Sequence, residues 1–276
     1  MVIATRDRRD ELCRTLAQLT ALPEKPPVIV VDNASRDGTA ETVRRLYPGV
    51  TLIRLRRNRR AAARTVGARR AATRYVAFSD DDSWWDPSAL ERAVAVLEAN
   101  PAAGAVTGRT LVGPDWREDP VNEVLAASPL PGSRVLGFLG CALVARRDAF
   151  LAAGGYRRLL GIGGEEELLA LDLAAAGWAC VYVPDVVARH VPSRHRDVPA
   201  RRAAQARNRV LVAFLRRPLR RALAGTARLA RGAVRRDPVA RRALAGLLAR
   251  LPLALLERRR VPPAVAAEAA RLETAA

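Results

Sequence analysis

Over about its first hundred residues the chain alternates short, β-branched apolar runs with segments of helical periodicity, and this alternation narrows the possible folds most. Residues 2–5, 28–31, 50–55 and 75–78 read as strands. Residues 10–22, 37–47, 60–72 and 87–99 read as the helices between and after them. Val28-Ile29-Val30-Val31 is continuous rather than alternating, as expected of a strand covered on both faces. Leu12, Leu16 and Leu19 share one helical face. Such a pattern predicts βαβ units and an α/β fold with a mostly parallel sheet flanked by helices. In sheets of this kind ligands gather beyond the C-terminal strand ends, where this chain places Asp32 and Asp80-Asp81-Asp82.

The middle of the chain is less regular. Residues 105–112 and 135–144 read as strands, separated by a Pro- and Gly-punctuated loop, 113–133, suited to a binding surface. A short helix over 146–153 is closed by Gly154-Gly155, and a longer one over 164–176 by Gly177. Residues 178–183 form a further strand. Beyond His190 come helices with Arg-rich faces, interrupted at Pro218, Pro238, Pro252 and Pro262-Pro263, so the boundary falls between a body, 1–192, and a tail, 193–276.

Charge is distributed along the same division. The net charge is +19, and Lys25 is the only lysine. From Arg194 onward 21 arginines face five acidic residues, a local net of +16 that leaves only +3 for the body. A basic amphipathic tail suits phosphate-rich partners, above all an anionic membrane surface. A helical cap packed on the body with solvated arginines accounts for the same pattern. Nucleic acid is not expected, because the charge lies outside the body and no nucleic-acid motif accompanies it. Cys13, Cys141 and Cys180 are few, odd in number and far apart, which argues against a disulfide framework and for buried, inert thiols. No apolar run is long enough to span a membrane and no secretory leader opens the sequence, so a cytoplasmic protein, peripheral at the inner membrane face, is expected.

Three clusters carry chemistry. Asp80-Asp81-Asp82 concentrates carboxylates at a strand end, which costs free energy unless a cation or hydrogen-bond donors compensate. Oxygen donors of this type suit Mg²⁺ or Mn²⁺ shared with substrate phosphates, while capping of the following helix is the plainer explanation. Asp32-Asn33, ending a buried strand, offers a carboxylate acceptor and an amide, in residues that also make ordinary turns. Gly163-Gly164-Glu165-Glu166-Glu167 opens a helix, where acids are favourable as caps and where one could act as a general base.

Taken in order, these residues resemble the family 2 glycosyltransferases of the GT-A fold over roughly the first 190 positions. Val2-Ile3-Ala4-Thr5-Arg6 resembles the opening strand, and Val31-Asp32-Asn33-Ala34-Ser35 with Asp37-Gly38-Thr39 the nucleotide-binding turn. Asn58 and Ala62-Ala63-Arg64 are similar to the Asn-x-Gly and Ala-Arg-Asn stretch, Asp80-Asp81-Asp82 to the Asp-x-Asp motif, and Gly154-Gly155-Tyr156 to the Gly-Gly-Phe turn. Gly164-Glu165-Glu166, Ala176-Gly177-Trp178 and Val187-Ala188-Arg189-His190 complete the match. The resemblance implies a nucleotide-sugar-binding half, 1–110, and an acceptor-binding half, 111–192. It implies that Thr5, Asp32, Asn33, Arg64, Asp80 and Asp81 bind the nucleotide sugar, and that Asp80, Asp82 and His190 hold Mg²⁺ or Mn²⁺. Glu166, with Glu165 beside it, would be the catalytic base of an inverting, metal-dependent transfer to an acceptor hydroxyl, lipid-linked or on a polysaccharide. Arg59-Arg60 and Thr65 depart from the family pattern, and a sugar-nucleotide-binding protein without turnover is the alternative reading.

Overall fold

The computed structural model describes residues 1–193 and 198–275. His195, expected at the surface, lies outside the described residues. The N-terminal half runs β1 (Val2–Thr5), α1 (Arg9–Thr20), β2 (Ile29–Asp32), α2 (Thr39–Leu46), β3 (Thr51–Arg54), α3 (Ala62–Arg70) and β4 (Tyr75–Ser79). It continues with β5 (Ser83–Trp85), α4 (Ala89–Ala99) and β6 (Ala103–Val112). The second half holds β7 (Arg117–Glu118), α5 (Pro120–Ala126), β8 (Leu143–Arg146), α6 (Arg147–Ala152), α7 (Glu165–Ala175) and β9 (Ala179–His190). The tail is built of five helices among the described residues: α8 (Val198–Arg216), α9 (Leu219–Val234), α10 (Pro238–Leu248), α11 (Leu251–Leu256) and α12 (Pro263–Ala275).

The strands form one sheet in the order β3-β2-β1-β4-β8-β6-β9-β5, with β7 paired to β6. The first four are parallel; β8 then runs antiparallel to β4 and β6, β6 and β9 are parallel, and β5 is antiparallel to β9. Because β4 lies in the middle of this order, its trailing aspartates emerge at the centre of the sheet edge. Val2, Val31 and Phe78 pack on one face with α3, α6 and α7, where the Phe78, Phe150 and Tyr156 rings lie 4.9–5.7 Å apart. Ile3, Val30 and Ala77 pack on the other face with α1 and α4. This two-sided burial explains why β1, β2 and β4 read as continuous apolar runs. Gly108 permits the closest crossing: a Cβ there would collide with the Val186 carbonyl, at the point where the β6–β9 register shifts.

The tail packs on the body through a third core. Leu168 and Leu171 of α7 and Leu159 and Leu160 before it meet Val210, Leu211, Phe214 and Leu215 of α8, with Leu247, Val261 and Val265 behind. An ion pair lies inside the same contact. The Arg216 guanidinium, 2% exposed, spans both carboxylate oxygens of buried Asp172, which also accepts from Arg157 at 3.3 Å.

Three expectations are corrected. Residues 135–144 form a strand only from Leu143 onward: Gly137 and Gly140 interrupt the run, which is tied to the sheet at its ends, the Val135 N–H donating to the Cys180 carbonyl at 2.9 Å and the Ala142 carbonyl accepting from the Gly108 N–H at 2.8 Å. The loop 113–133 contains β7 and α5, the latter capped by Asp119, whose side chain accepts from the Val121 N–H at 2.9 Å. Cys13 is half-exposed on α1, whereas Cys141 and Cys180 are buried, with thiol pKa values pushed by burial to about 12.

A buried charge stripped of its partner is costly, so Arg216→Ala should lower unfolding free energy by about 3–5 kcal/mol. Urea denaturation followed by circular dichroism checks this, and a loss below about 1 kcal/mol would show that the body does not depend on the tail at this contact.

Candidate active site

A cleft of about 280 Å³ opens over the C-terminal ends of β1 and β4 and reaches the N-terminus of α7. Thr5, Asn33, Arg64, Asp80, Asp81, Asp82, Glu165 and Glu166 line it, so eight of the residues singled out from sequence come together in one place. His190 joins them from the end of β9.

Each aspartate of the triplet has a different environment. Asp80 is ion-paired with Arg64, whose guanidinium also lies 5.4 Å from the Tyr156 ring centre. Asp81 is buried; it accepts from Thr5 Oγ1 and from Arg8 Nη1, both at 2.9 Å. Burial nonetheless lifts its carboxyl to about 6, with Arg8 pulling against that shift and Asp82 adding to it. Asp82 moves the other way. Burial acts to raise it, but His190, the Ser193 backbone N–H and Arg8 bring it to about 2. The distances from its oxygens are 3.2 Å to His190 Nε2, 3.1 Å to the Ser193 nitrogen and 3.2 Å to Arg8 Nη1.

Ligand atoms of Asp80, Asp82 and His190 all lie within 4.8 Å of one another. Two carboxylates and an imidazole at that spacing fit a hard or borderline divalent cation such as Mg²⁺ or Mn²⁺. The site residues therefore fit the cation that the sequence resemblance implies.

The other expected donor residues divide into two groups. Asn33 lines the cleft and pins the turn beyond it: its Oδ1 accepts from the Arg59 N–H at 3.0 Å, and its Nδ2 donates to the Arg60 carbonyl at 3.2 Å. Asp32 does not line the cleft. It is fully buried beneath an adjoining cavity of about 480 Å³ bounded by Arg6, Ser35, Arg54 and Asn58. Its Oδ1 accepts from the Ser35 N–H at 2.8 Å, while Oδ2 has no hydrogen-bond partner among the described residues. Arg54 Nε approaches that oxygen to 3.7 Å.

Helix α7 presents Glu165 and Glu166 at its positive end. Two glycines with left-handed φ, Gly163 at +87° and Gly164 at +90°, make the turn into it, and a Cβ on Gly163 would stand 2.7 Å from Gln205 Cγ of α8. Glu165 is buried, with Oε2 unpaired among the described residues, and Glu166 is half-buried. Burial raises the pKa of both carboxyls, and the repulsion of Glu166 raises Glu165 further. Gly140 lies between Glu166 and the triplet: a Cβ there would stand 3.3 Å from Glu166 Oε1 and 3.5 Å from Arg64 Nη1.

Sequence reading passed over Arg8, Gly140 and Arg201, all of which line the cleft. Arg8 was legible in principle, since it sits one helical entry beyond β1 on the side facing the triplet. Gly140 and Arg201 reach the cleft through tertiary packing alone.

The parallel nucleotide half, the carboxylate triplet at the end of its central strand and the acidic helix entrance define a GT-A glycosyltransferase. The chain belongs to the glycosyl transferase family 2, whose family model matches residues 1–149. It is 27% identical over 229 residues to the N-acetylglucosaminyl-diphospho-decaprenol L-rhamnosyltransferase of Mycobacterium tuberculosis, covering 69% of this chain and 75% of that one. Among solved structures it is similar to the mannosyltransferase PcManGT from Pyrobaculum calidifontis in complex with GDP-Man and Mn²⁺ (TM-score 0.62, 24% identity, 100% of this chain and 74% of that one). It also matches GalNAc-T7 with UDP, GalNAc and Mn²⁺ (TM-score 0.61, 17% identity, 78% of this chain and 47% of that one). The protein is thus an enzyme that transfers a glycosyl group from a nucleotide sugar.

The acidic groups also set how stability varies with pH. Asp81 and the Glu165–Glu166 pair have folded-state pKa values above the unfolded ones, so the folded chain holds more protons between those values and stability falls as pH rises through that window. Asp82, shifted down, contributes stability that is lost only below 3.8. The midpoint temperature of metal-free protein should therefore decline from about pH 5 to about pH 8, less steeply in Glu165→Gln. Scanning calorimetry across that range checks it, and identical slopes in both proteins would contradict it.

Proposed function

We propose that the enzyme is an inverting transferase that moves a sugar from a nucleoside diphosphate sugar to a hydroxyl of a lipid-linked acceptor, with a divalent cation bound beside the donor. The observation that carries this reading is that one cleft joins the Asp80–Asp82–His190 group to Glu166 across Gly140. Asp80, Asp82 and His190 would hold Mg²⁺ or Mn²⁺, which when bound offsets charge developing on the leaving diphosphate. Arg64 and Arg8 supply fixed positive charge to the same region. Asp32, whose buried Oδ2 has no hydrogen-bond partner among the described residues, would accept a ring N–H of the base.

Glu166 acts as general base. It takes the acceptor hydroxyl proton while the hydroxyl oxygen bonds to the anomeric carbon from the face opposite the diphosphate. The bond from that carbon to the diphosphate oxygen breaks, and the nucleotide leaves with the electron pair, so configuration inverts. Burial raises the Glu166 pKa, which makes the ionised carboxylate a stronger base. Arg64 and a hydrogen bond shared with Glu165 pull against the rise.

The acceptor side is apolar. Glu166 also lines a groove of about 630 Å³ formed by Val124, Leu125, Leu136, Phe138 and Leu272. A hydroxyl presented to Glu166 from that groove would carry an apolar portion along it, consistent with the lipid-linked acceptor in the name of the mycobacterial relative. The tail supports a location at a membrane: Leu219, Leu223, Leu253 and Leu256 are exposed among arginines of α9 and the segment after α11. Among the described residues no helix is long and apolar enough to cross a membrane.

A thermal-shift panel of UDP, GDP, ADP, CMP and dTDP with and without Mn²⁺ tests the donor site; one nucleotide should stabilise the protein in a metal-dependent manner, and Asp82→Ala should abolish that shift. No shift with any nucleotide on folded protein would overturn the donor reading. Glu166→Gln should keep the nucleotide shift while lowering kcat by about 10²–10⁴-fold, and near-normal turnover would remove Glu166 from the mechanism. Val124→Asp, at an exposed position, should raise KM for a lipid-linked acceptor by about tenfold with donor KM unchanged. Equal KM values in the two proteins would exclude the groove as the acceptor site.

A further inference from the structure

On the tail side of the donor cleft lies a second cavity, of about 160 Å³, lined among the described residues by five arginines and no carboxylate: Arg60, Arg158, Arg207, Arg242 and Arg250. We propose that these five guanidiniums form a site for a phosphoryl or diphosphoryl anion, distinct from the donor site. The volume accommodates a phosphate group, given about 30 Å³ per water molecule in the liquid.

The arrangement is unlike the rest of the tail. Elsewhere along the contact between body and tail, arginines meet carboxylates: Arg216 of the tail meets Asp172 of the body, and Arg157 and Arg134 of the body meet Glu257 and Glu268 of the tail. Around this cavity like charges are brought together instead. A Cβ on Gly246 of α10 would stand 3.5 Å from Arg207 Nη1 and 3.6 Å from Arg250 Nη1, so both guanidiniums converge on one point above a glycine. Several of their N–H groups are fixed by backbone and amide oxygens. Arg207 Nη2 donates to the Leu160 carbonyl at 2.9 Å, its Nε donates to Asn208 Oδ1 at 2.9 Å, and Arg250 Nη1 donates to the Gly246 carbonyl at 3.0 Å. Arg207 Nη1 is left without a protein acceptor among the described residues. Burial, then Arg250 and Arg60, pulls the Arg207 pKa down to about 10. Held cations of one sign, with donors left over, are relieved by an anion, and planar guanidiniums match phosphate oxygens in pairs.

The cavity is not an isolated surface patch. Arg60 and Ile162 line both it and the donor cleft. Asn208, fully buried beside Arg207, donates to the carbonyls of Leu160, Ile162 and Gly163, the segment that leads into α7. An anion bridging Arg158 and Arg60 of the body to Arg207, Arg242 and Arg250 of the tail would clamp that segment. The anion chemistry is shared by soluble phosphates and by phospholipid headgroups.

The test is isothermal titration of the full chain with inorganic pyrophosphate in EDTA, at constant ionic strength set with potassium chloride. Wild type should bind with a saturable Kd in or below the millimolar range. Arg158→Gln and Arg242→Gln, both at exposed positions, should each weaken binding by about tenfold. Arg8→Gln, in the donor cleft, and Arg231→Gln, outside both cavities, should leave the Kd unchanged. Displacement of pyrophosphate by phosphatidylglycerol vesicles but not by phosphatidylcholine vesicles would assign the site to a headgroup; resistance to both would assign it to a soluble phosphoryl anion. Equal affinity in all variants, loss of binding only in Arg8→Gln, or no binding by wild type would each overturn the proposal.

Discussion

Placing three aspartates in succession at the end of the central strand is the constraint around which the rest of the site is arranged. Like charges at this spacing, two of them buried, are sustained only by donors drawn from elsewhere in the chain. Thr5 comes from β1, Arg8 from the turn into α1, Arg64 from α3, and His190 from the far end of β9. The Ser193 and Val191 backbones close around Asp82, whose carbonyl accepts from the Val191 N–H at 2.9 Å. The β9 end and the chain leaving it are therefore positioned by the same residue that offers a metal ligand. Asp81 and Asp82, both buried, shift in opposite directions: where desolvation outweighs the partners the carboxyl holds a proton more readily, and where the partners outweigh desolvation it stays ionised.

Much of this was legible in the sequence, for identifiable reasons. β1, β2 and β4 are covered on both faces, so their side chains had to be uniformly apolar, and their ends marked Asp32 and Asp80–Asp82. The helix at 164–176 announced itself by glycines before and after its acidic start. What could not be read depends on distant pairing. β5 is three residues long and exists because Ser83–Trp85 meet Ala188–His190, over a hundred positions away. In 135–142 the apolar composition suggested a strand, yet two glycines and the approach of Glu166 and Arg64 to Gly140 keep the chain irregular there. That Asp32 ends a strand is legible, but its full burial and its bond to the Ser35 N–H depend on a turn the sequence does not reveal.

The tail shows why net charge is a poor guide to function until geometry is known. Its arginines serve at least two structural ends. Arg216 joins Asp172 inside a core, and Arg258 donates to the carbonyls of Phe214 and Arg217, closing α8 where its own backbone bonds run out. Leu211 and Leu215 of α8 complete the apolar cover of α7. An α7 without α8 would expose Leu168 and Leu171, and with them the helix whose first turn carries Glu165 and Glu166. The tail is thus part of how Glu166 is held.

Charge balance in the donor cleft links these observations. Its lining contains five arginines, Arg6, Arg8, Arg60, Arg64 and Arg201, and five carboxylates, Asp80, Asp81, Asp82, Glu165 and Glu166. Formally these cancel, so the cleft by itself has no net attraction for an anionic diphosphate. Protonation of one member of the glutamate pair, and a divalent cation at Asp80, Asp82 and His190, each tip the balance toward the positive. The glutamates need the arginines so that a base can stand next to a diphosphate, and the arginines need the aspartates so that five cations can stand next to one another. Donor affinity and base strength are in consequence coupled: any group that neutralises the diphosphate more strongly also stabilises the ionised base, and lowers the pH at which it begins to accept a proton.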